Sequence, residues 1–221
     1  MRAVRNVERI AHRGAKREFP ENTLSSFRRA FELGADAVEL DVHATHDGVI
    51  VVHHDPTIGR HGPALRDLTW LELEHRTEAA VPRLQDVLEA IPASATAYVE
   101  IKALGIEQAV SETLANVPVR CAVHSFDHAT IVRMREIAPR VARGVLFDGS
   151  LSALNDVLSR SAARDVWPHW KLVDQALVNR VHARGCRVIA WTVNAADEAR
   201  RLAALGVDGI CSDDIRLLEE L

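Results

Sequence analysis

Aromatic side chains are scarce, at 5% of 221 residues, so any buried core must be built mostly from aliphatic groups. Cysteine is scarcer still. Cys121, Cys186 and Cys211 are odd in number, far apart and without a CxxC pair. That argues against a disulfide scaffold or a zinc ribbon and fits buried thiols in a reducing cytosol. No apolar run approaches the roughly 18–20 residues of a membrane span. The opening MRAVRNVERIAHRG also lacks the apolar stretch of a secretory signal. Neither sign of charge dominates: 27 basic against 31 acidic residues leave a net −4, too mild for a nucleic-acid footprint. What is present, 48% hydrophobic and 26% charged residues, is the composition of a well-buried globular chain. The expectation is one cytoplasmic domain spanning residues 1–221, without a nucleic-acid partner or a membrane span.

Short apolar runs alternate with longer amphipathic ones, the pattern of parallel strands covered by helices. The runs begin at Val7, Ala37, Tyr98, Val119, Val141, Asp165, Arg187 and Gly209. From Tyr98 onward the starts lie 21, 22, 24, 22 and 22 residues apart, enough for a strand, a helix and two short loops. Eight such units close a (β/α)8 TIM barrel. Helices are expected over ENTLSSFRRAFELG, LQDVLEAI, EQAVSETLANV, ATIVRMREIA, ALNDVLSR, DQALVNRVHARG and ADEARRLAALG. Asn22 or Thr23 would cap the first of them, and Gly34, Gly185 and Gly206 would terminate helices. The spacing breaks between Ala37 and Tyr98. There Asp47-Gly48 signals a hairpin into VIVVHH, and the remainder reads as an enlarged loop, giving a strand 2 insertion over about residues 43–96.

Charge inside the expected strands points to chemistry. Glu39 and Asp41 are two apart and share one face, with Val38, Leu40 and Val42 on the other. Glu100 and Lys102 repeat the arrangement beside Val99 and Ile101. Buried charges are costly unless paired or bound to a cation, and these lie at C-terminal strand ends, where barrel enzymes place their sites. A structural Glu–Lys pair explains one such residue; two inward pairs favour a site. Glu39, Asp41 and Glu100 form an all-oxygen set suited to Mg2+ or Ca2+. Zinc at the His43, His46, His53 and His54 cluster is the alternative. His12, Arg13 and Gly14 follow the first strand, combining a proton carrier, an anion-binding fork and a flexible backbone. Strand parity sends one of His53 and His54 toward the site without saying which. Trp191 and the pair Ser212-Asp213 also end strands, where packing or capping accounts for each alone.

Taken in order, IAHRG, PENTLSSF, GADAVELDVHATHDGVIVVHHDPTIGR, VPRLQDVL, VEIK, HSFD, WTVN and GVDGICSDD resemble the glycerophosphodiester phosphodiesterase family. The match runs from residue 10 to about 214. The resemblance implies a (β/α)8 barrel that hydrolyses a small-molecule glycerophosphodiester to glycerol 3-phosphate and an alcohol, with Mg2+ or Ca2+. It implies His12 and His54 as the catalytic histidines and Glu39, Asp41 and Glu100 as metal ligands. Arg13 and Lys102 would contact the phosphate, and Trp191 and Phe126 would line the substrate pocket. The chain departs from the family at His61, where threonine is common, in the trimmed loop GPALRDLTW, and at CSDD. These positions bear on which alcohol is read.

The mechanism expected from these groups has His12 as general base and His54 as general acid, with cation, Arg13 and Lys102 neutralising phosphoryl charge. Three other readings stand beside it. A lysophospholipase D-like enzyme would want an apolar rim, hinted at by Leu68, Trp70 and Leu71. A non-catalytic phosphate-ester-binding barrel would not need the acid–base partners. A zinc hydrolase would use His43 and His46.

Overall fold

The computed structural model describes residues 7–78 and 80–221. Strand β1 (Glu8–His12) leads into helix α1 (Leu24–Glu32) and strand β2 (Ala37–Ala44), which turns at Asp47-Gly48 into the short β3 (Ile50–Val52). Helices α2 (Trp70–Thr77) and α3 (Leu84–Ala90) precede β4 (Thr96–Ile101) and α4 (Glu107–Ala115). Regular alternation follows through β5 (Arg120–Ser125), α5 (His128–Ile137), β6 (Ala142–Phe147), α6 (Leu154–Ser161) and β7 (Asp165–Pro168). The chain ends with α7 (Gln175–His182), β8 (Arg187–Ala190), α8 (Ala196–Leu205) and β9 (Gly209–Ser212).

Eight strands pair in parallel and close, because β1 bonds to both β2 and β9. The ninth, β3, lies antiparallel on β2 outside the ring, with Val42 opposite Val52. The expected (β/α)8 barrel is therefore the fold, and the strand starts read from the sequence fall within two residues of those found. Among the described residues no helix is long and apolar enough to cross a membrane.

Alternation along each strand separates two cores. Val38, Leu40, Val42, Val99, Val123 and Val145 face the helices and meet Phe27, Leu84, Leu88, Ile131 and Leu177, an almost wholly aliphatic layer. Inside the barrel, Ile10, Ala37, Tyr98, Ala122, Leu146, Trp167, Ile189 and Cys211 form a second cluster. Two large rings, Tyr98 and Trp167, fill this narrow interior. Gly144 makes room for one of them: a Cβ there would sit 2.8 Å from Trp167 Nε1.

The strand 2 insertion is more ordered than a loop. Thr69 caps α2 through a reciprocal box with Glu72, and Val51, Leu65, Leu68, Leu73 and Val81 form a small core beneath it. The TxxE signal at Thr69–Glu72 was present in the sequence, but the low apolar content of WLELEHRT masked the helix. Thr23, rather than Asn22, caps α1.

Candidate active site

The site begins at the end of β1. Arg13 and Asn22 both adopt left-handed backbone (φ 57° and 60°), a conformation costing about 1–3 kcal/mol outside glycine. The turn is held by Arg13 N–H donating to Glu39 O and Asn22 N–H to Arg13 O, each near 3 Å. Gly14 is required by packing, since a Cβ would lie 2.3 Å from Ser26 Oγ and 2.8 Å from that residue's backbone. Each residue of the following Glu21-Asn22-Thr23 segment has a task. Glu21 accepts from Arg13 and pairs with Lys16, each at 2.9 Å. Asn22 Nδ2 donates to Asp41 Oδ2 at 2.9 Å, and Thr23 caps α1.

Two imidazoles are organised alike. His12 Nδ1 lies 2.6 Å from Asp213 Oδ1, and His54 Nδ1 lies 2.7 Å from Asp55 Oδ1. A carboxylate on Nδ1 holds the ring proton there and leaves Nε2 for a reacting partner. His12 Nε2 is 3.8 Å from Glu39 Oε2. Asp213 is held in turn by Asn194 of the WTVN segment at 2.7 Å and by Lys16 at 3.4 Å. Despite its burial, the His12 bond and the positive charge around it push the Asp213 carboxyl well below the usual range. Sequence reasoning gave Asp213 only a packing or capping part. Nothing local marks it as a partner of His12, 201 residues away and reached across the β1–β9 seam.

Glu39, Asp41 and Glu100 all point into the barrel mouth, as strand parity required. Glu39 is 3% exposed, Asp41 0% and Glu100 8%. They differ in their company. Asp41 is 3.0 Å from Arg13 Nε and 3.5 Å from Lys102 Nζ, and these cations outweigh burial and hold its carboxyl below the usual range. Burial, and then repulsion from the neighbouring acids, pushes Glu39 and Glu100 up to about 7. Lys102 reaches Glu100 at 3.2 Å. Arg13, despite its own burial, is shifted upward by Asp41, Glu39 and Glu21.

A residue not singled out from the sequence completes this group. His124 stands opposite Glu100 in the β4–β5 register, is 1% exposed, and brings Nε2 to 3.5 Å from Glu39 Oε1. One ligand atom from each of Glu39, Glu100 and His124 lies within 4.8 Å of the others, a group able to hold a metal ion. Glu39 Oε2, Asp41 Oδ1 and both His124 nitrogens are buried without a hydrogen-bond partner among the described residues. Such orphaned groups cost about 1–3 kcal/mol each, and a cation would satisfy the carboxylate oxygens and one of the His124 nitrogens. The residues present therefore fit a divalent metal. Burial drives the His124 pKa down to about 4, leaving the ring neutral and able to ligate.

A cavity of about 260 Å³ opens over this cluster. It is lined by His12, Arg13, Glu39, His54, Glu100, Lys102, Phe126 and Trp191 among others, so eight of the nine expected site residues meet there. Asp41 sits beneath them. Phe126 and Trp191 meet edge to face with centroids 5.4 Å apart and form the aromatic wall. His54 lines the cavity and His53 does not; both lie past the end of β3, so strand parity could not choose between them. His43 is turned away from the metal group, its Nε2 3.1 Å from the His54 carbonyl, and His46 is exposed. The histidine-rich zinc cluster does not assemble among the described residues. The suggested apolar rim does not form either. Leu68 is buried under α2, Trp70 has the Arg83 guanidinium over its ring, Leu71 is 62% exposed, and none of them lines the cavity.

A model of the glycerophosphoryl diester phosphodiesterase family matches residues 12–217. The chain is 32% identical to a glycerophosphodiester phosphodiesterase of Caldanaerobacter subterraneus over 96% of both chains. It superposes on the glycerophosphodiester phosphodiesterase of Thermotoga maritima with a TM-score of 0.87 at 26% identity, covering 97% of each chain. An Oleispira antarctica phosphodiesterase solved with the product sn-glycerol-3-phosphate is equally similar (TM-score 0.87, 27% identity, 96% of this chain and 94% of that one).

Proposed function

The chain belongs to the glycerophosphoryl diester phosphodiesterase family, and from that premise we propose that it hydrolyses glycerophosphodiesters to sn-glycerol 3-phosphate and an alcohol in a cation-dependent, histidine-catalysed reaction. One observation carries the reading: two imidazoles, each with a carboxylate on Nδ1, line the same cavity as a buried acidic cluster with unpartnered oxygens.

In this reading Arg13 and Lys102 bind the phosphoryl oxygens. Both now lean on Asp41, which positions them at the cavity wall without removing their charge. His12, with Asp213 on Nδ1, takes a proton at Nε2. The proton comes either from the glycerol 2-hydroxyl, whose attack closes a cyclic phosphate that water then opens, or from a water that attacks the phosphorus directly. His54, with Asp55 on Nδ1, delivers a proton from Nε2 to the departing alkoxide. A divalent cation in the acidic cluster of Glu39, Asp41 and Glu100, expected from the sequence to be Mg2+ or Ca2+, supplies charge neutralisation for the phosphoryl group. Phe126 and Trp191 pack against the alcohol.

The test is a panel of glycerophosphocholine, glycerophosphoethanolamine, glycerophosphoglycerol and a lysophospholipid, each assayed for glycerol 3-phosphate with and without added dication. Turnover of at least one glycerophosphodiester, dependent on cation, is expected. No product from any of them, or equal turnover in excess chelator, would overturn the proposal.

A further inference from the structure

We infer that Lys16 is a positioning residue: its ammonium bridges the two carboxylates that orient the general base His12 and the phosphate-binding Arg13, and so couples turnover to substrate affinity. The role rests on the hydrolase reading above and adds to it a group from behind the cavity wall.

Lys16 lies in the turn between β1 and α1, where its backbone N–H donates to the Gly14 carbonyl at 2.9 Å. Its Nζ reaches Glu21 Oε2 at 2.9 Å and Asp213 Oδ1 at 3.4 Å. Each of those carboxylates also faces a functional group. Glu21 Oε1 accepts from Arg13 Nη1 at 2.9 Å, and Asp213 Oδ1 lies 2.6 Å from His12 Nδ1. One ammonium thus stands between the supports of two adjacent residues with separate tasks. Lys16, Glu21 and Asp213 do not line the cavity, whereas His12 and Arg13 do. The trio therefore acts on the substrate through those two.

Like charge explains why a bridge is needed. Both acids are ionised: against the effect of burial, Lys16 and Arg13 lower the Glu21 carboxyl, as His12 and Lys16 lower that of Asp213. Without the ammonium, two anions would face each other across a few ångströms. Glu21 has solvent to turn into, and Arg13 Nη1 would then lose its acceptor. Asp213 stays tied to Asn194 through Oδ2, but its Oδ1 loses one of the two contacts that fix it against the His12 ring.

Exposed ion pairs contribute little, but the Lys16 side chain is only 22% exposed. A second ion pair across the same seam supplies the contrast. Arg216, in the 3-10 turn Ile215–Leu218 after β9, reaches Glu18 at 3.0 Å. It is 45% exposed, and its ion pairs are with Glu18 and Asp214 rather than with the carboxylates that hold His12 and Arg13.

The experiment measures kcat on the glycerophosphodiester turned over fastest, and the calorimetric Kd of sn-glycerol 3-phosphate, both with saturating dication and per folded molecule. Lys16→Met is expected to lower kcat by about 10- to 100-fold and to weaken product binding by roughly threefold or more, the scale of a slight misplacement of reacting groups. Lys16→Gln serves as a second variant should Met impair folding. Lys16→Arg, whose fork can span two carboxylates, should restore most of both. Arg216→Gln should leave both near wild type. In an Asp213→Asn background the kcat loss from Lys16→Met should vanish, and in a Glu21→Gln background the affinity loss should vanish. Wild-type kcat and affinity in Lys16→Met, no rescue by arginine, or losses carried undiminished into both double variants would overturn the assignment and leave the hydrolase reading standing. No turnover by the wild type would overturn that reading, and the assignment with it.

Discussion

The two ends of the barrel both bury charge, and they treat it in opposite ways. At the N-terminal end Arg187 pairs with Glu8 and lies 3.5 Å from Asp165, while Tyr98 Oη donates to Glu8 at 2.7 Å. Arg164 closes on the other side of Asp165. Opposite charges alternate there and satisfy one another. At the C-terminal end Glu39 and Glu100 face each other, His124 faces both, and oxygens and nitrogens are left without partners. The same interior parity produces both layers. The lower end is neutralised throughout, whereas the upper end pairs Asp41 and Glu100 with Arg13 and Lys102 yet leaves a Glu39 oxygen and the His124 nitrogens without hydrogen-bond partners. That contrast can be pushed from either side.

The largest effect should come from removing an acid–base group at the upper end. His12→Ala and His54→Ala are each expected to lower kcat by roughly 10²–10⁴-fold while the melting temperature stays close to wild type, measured by steady-state turnover and thermal unfolding. Arg187→Met should reverse that signature. It leaves Glu8 with only the Tyr98 hydroxyl and Asp165 with only Arg164, and should cost roughly 1–3 kcal/mol in denaturant unfolding with kcat per folded molecule unchanged. Glu39→Gln sharpens the comparison further. Removing one of two repelling acids should abolish activity yet stabilise the metal-free chain by about 1 kcal/mol, the trade expected of a site strained for function.

The smallest effect is a slope against pH. Glu39 and Glu100 are raised to about 7 in the folded chain by burial and mutual repulsion, from an ordinary 4.5. Without a cation the fold therefore holds protons that the unfolded chain releases above about 4.5. The stability they contribute is fully present below that value and is lost as pH climbs through about 7. Asp41 is shifted downward, so its contribution is lost only in more acidic solution and does not oppose the trend. Burial lowers His124 to about 4, so its charging in the unfolded chain opposes that loss below about pH 6.5. Melting temperatures of the metal-free protein should therefore fall most steeply between about pH 6.5 and 8, and a saturating dication should remove that fall. A flat profile without cation would mean the two acids are not coupled as described.

Much of this contrast could be read from the chain. Alternation placed Glu39, Asp41 and Glu100 on one face, and regular spacing counted the barrel strands, because both depend on local periodicity. What escaped depends on pairing between distant segments. His124 matters only once the β4–β5 register sets it beside Glu100, and Asp213 only once β9 closes against β1. Alternation could not separate His54 from His53, since β3 ends at Val52; only the family resemblance chose His54, which is the one that lines the cavity. Helix α2 was lost because its apolar face is narrow, with Leu73 its buried residue.

The claim that the upper end is built around one cation is tested most directly by calorimetric titration of the chelator-treated protein with Mn2+. One bound ion per chain in the wild type and none in Glu39→Gln is the predicted result. Binding that is absent from the wild type, or unchanged by the substitution, would contradict it.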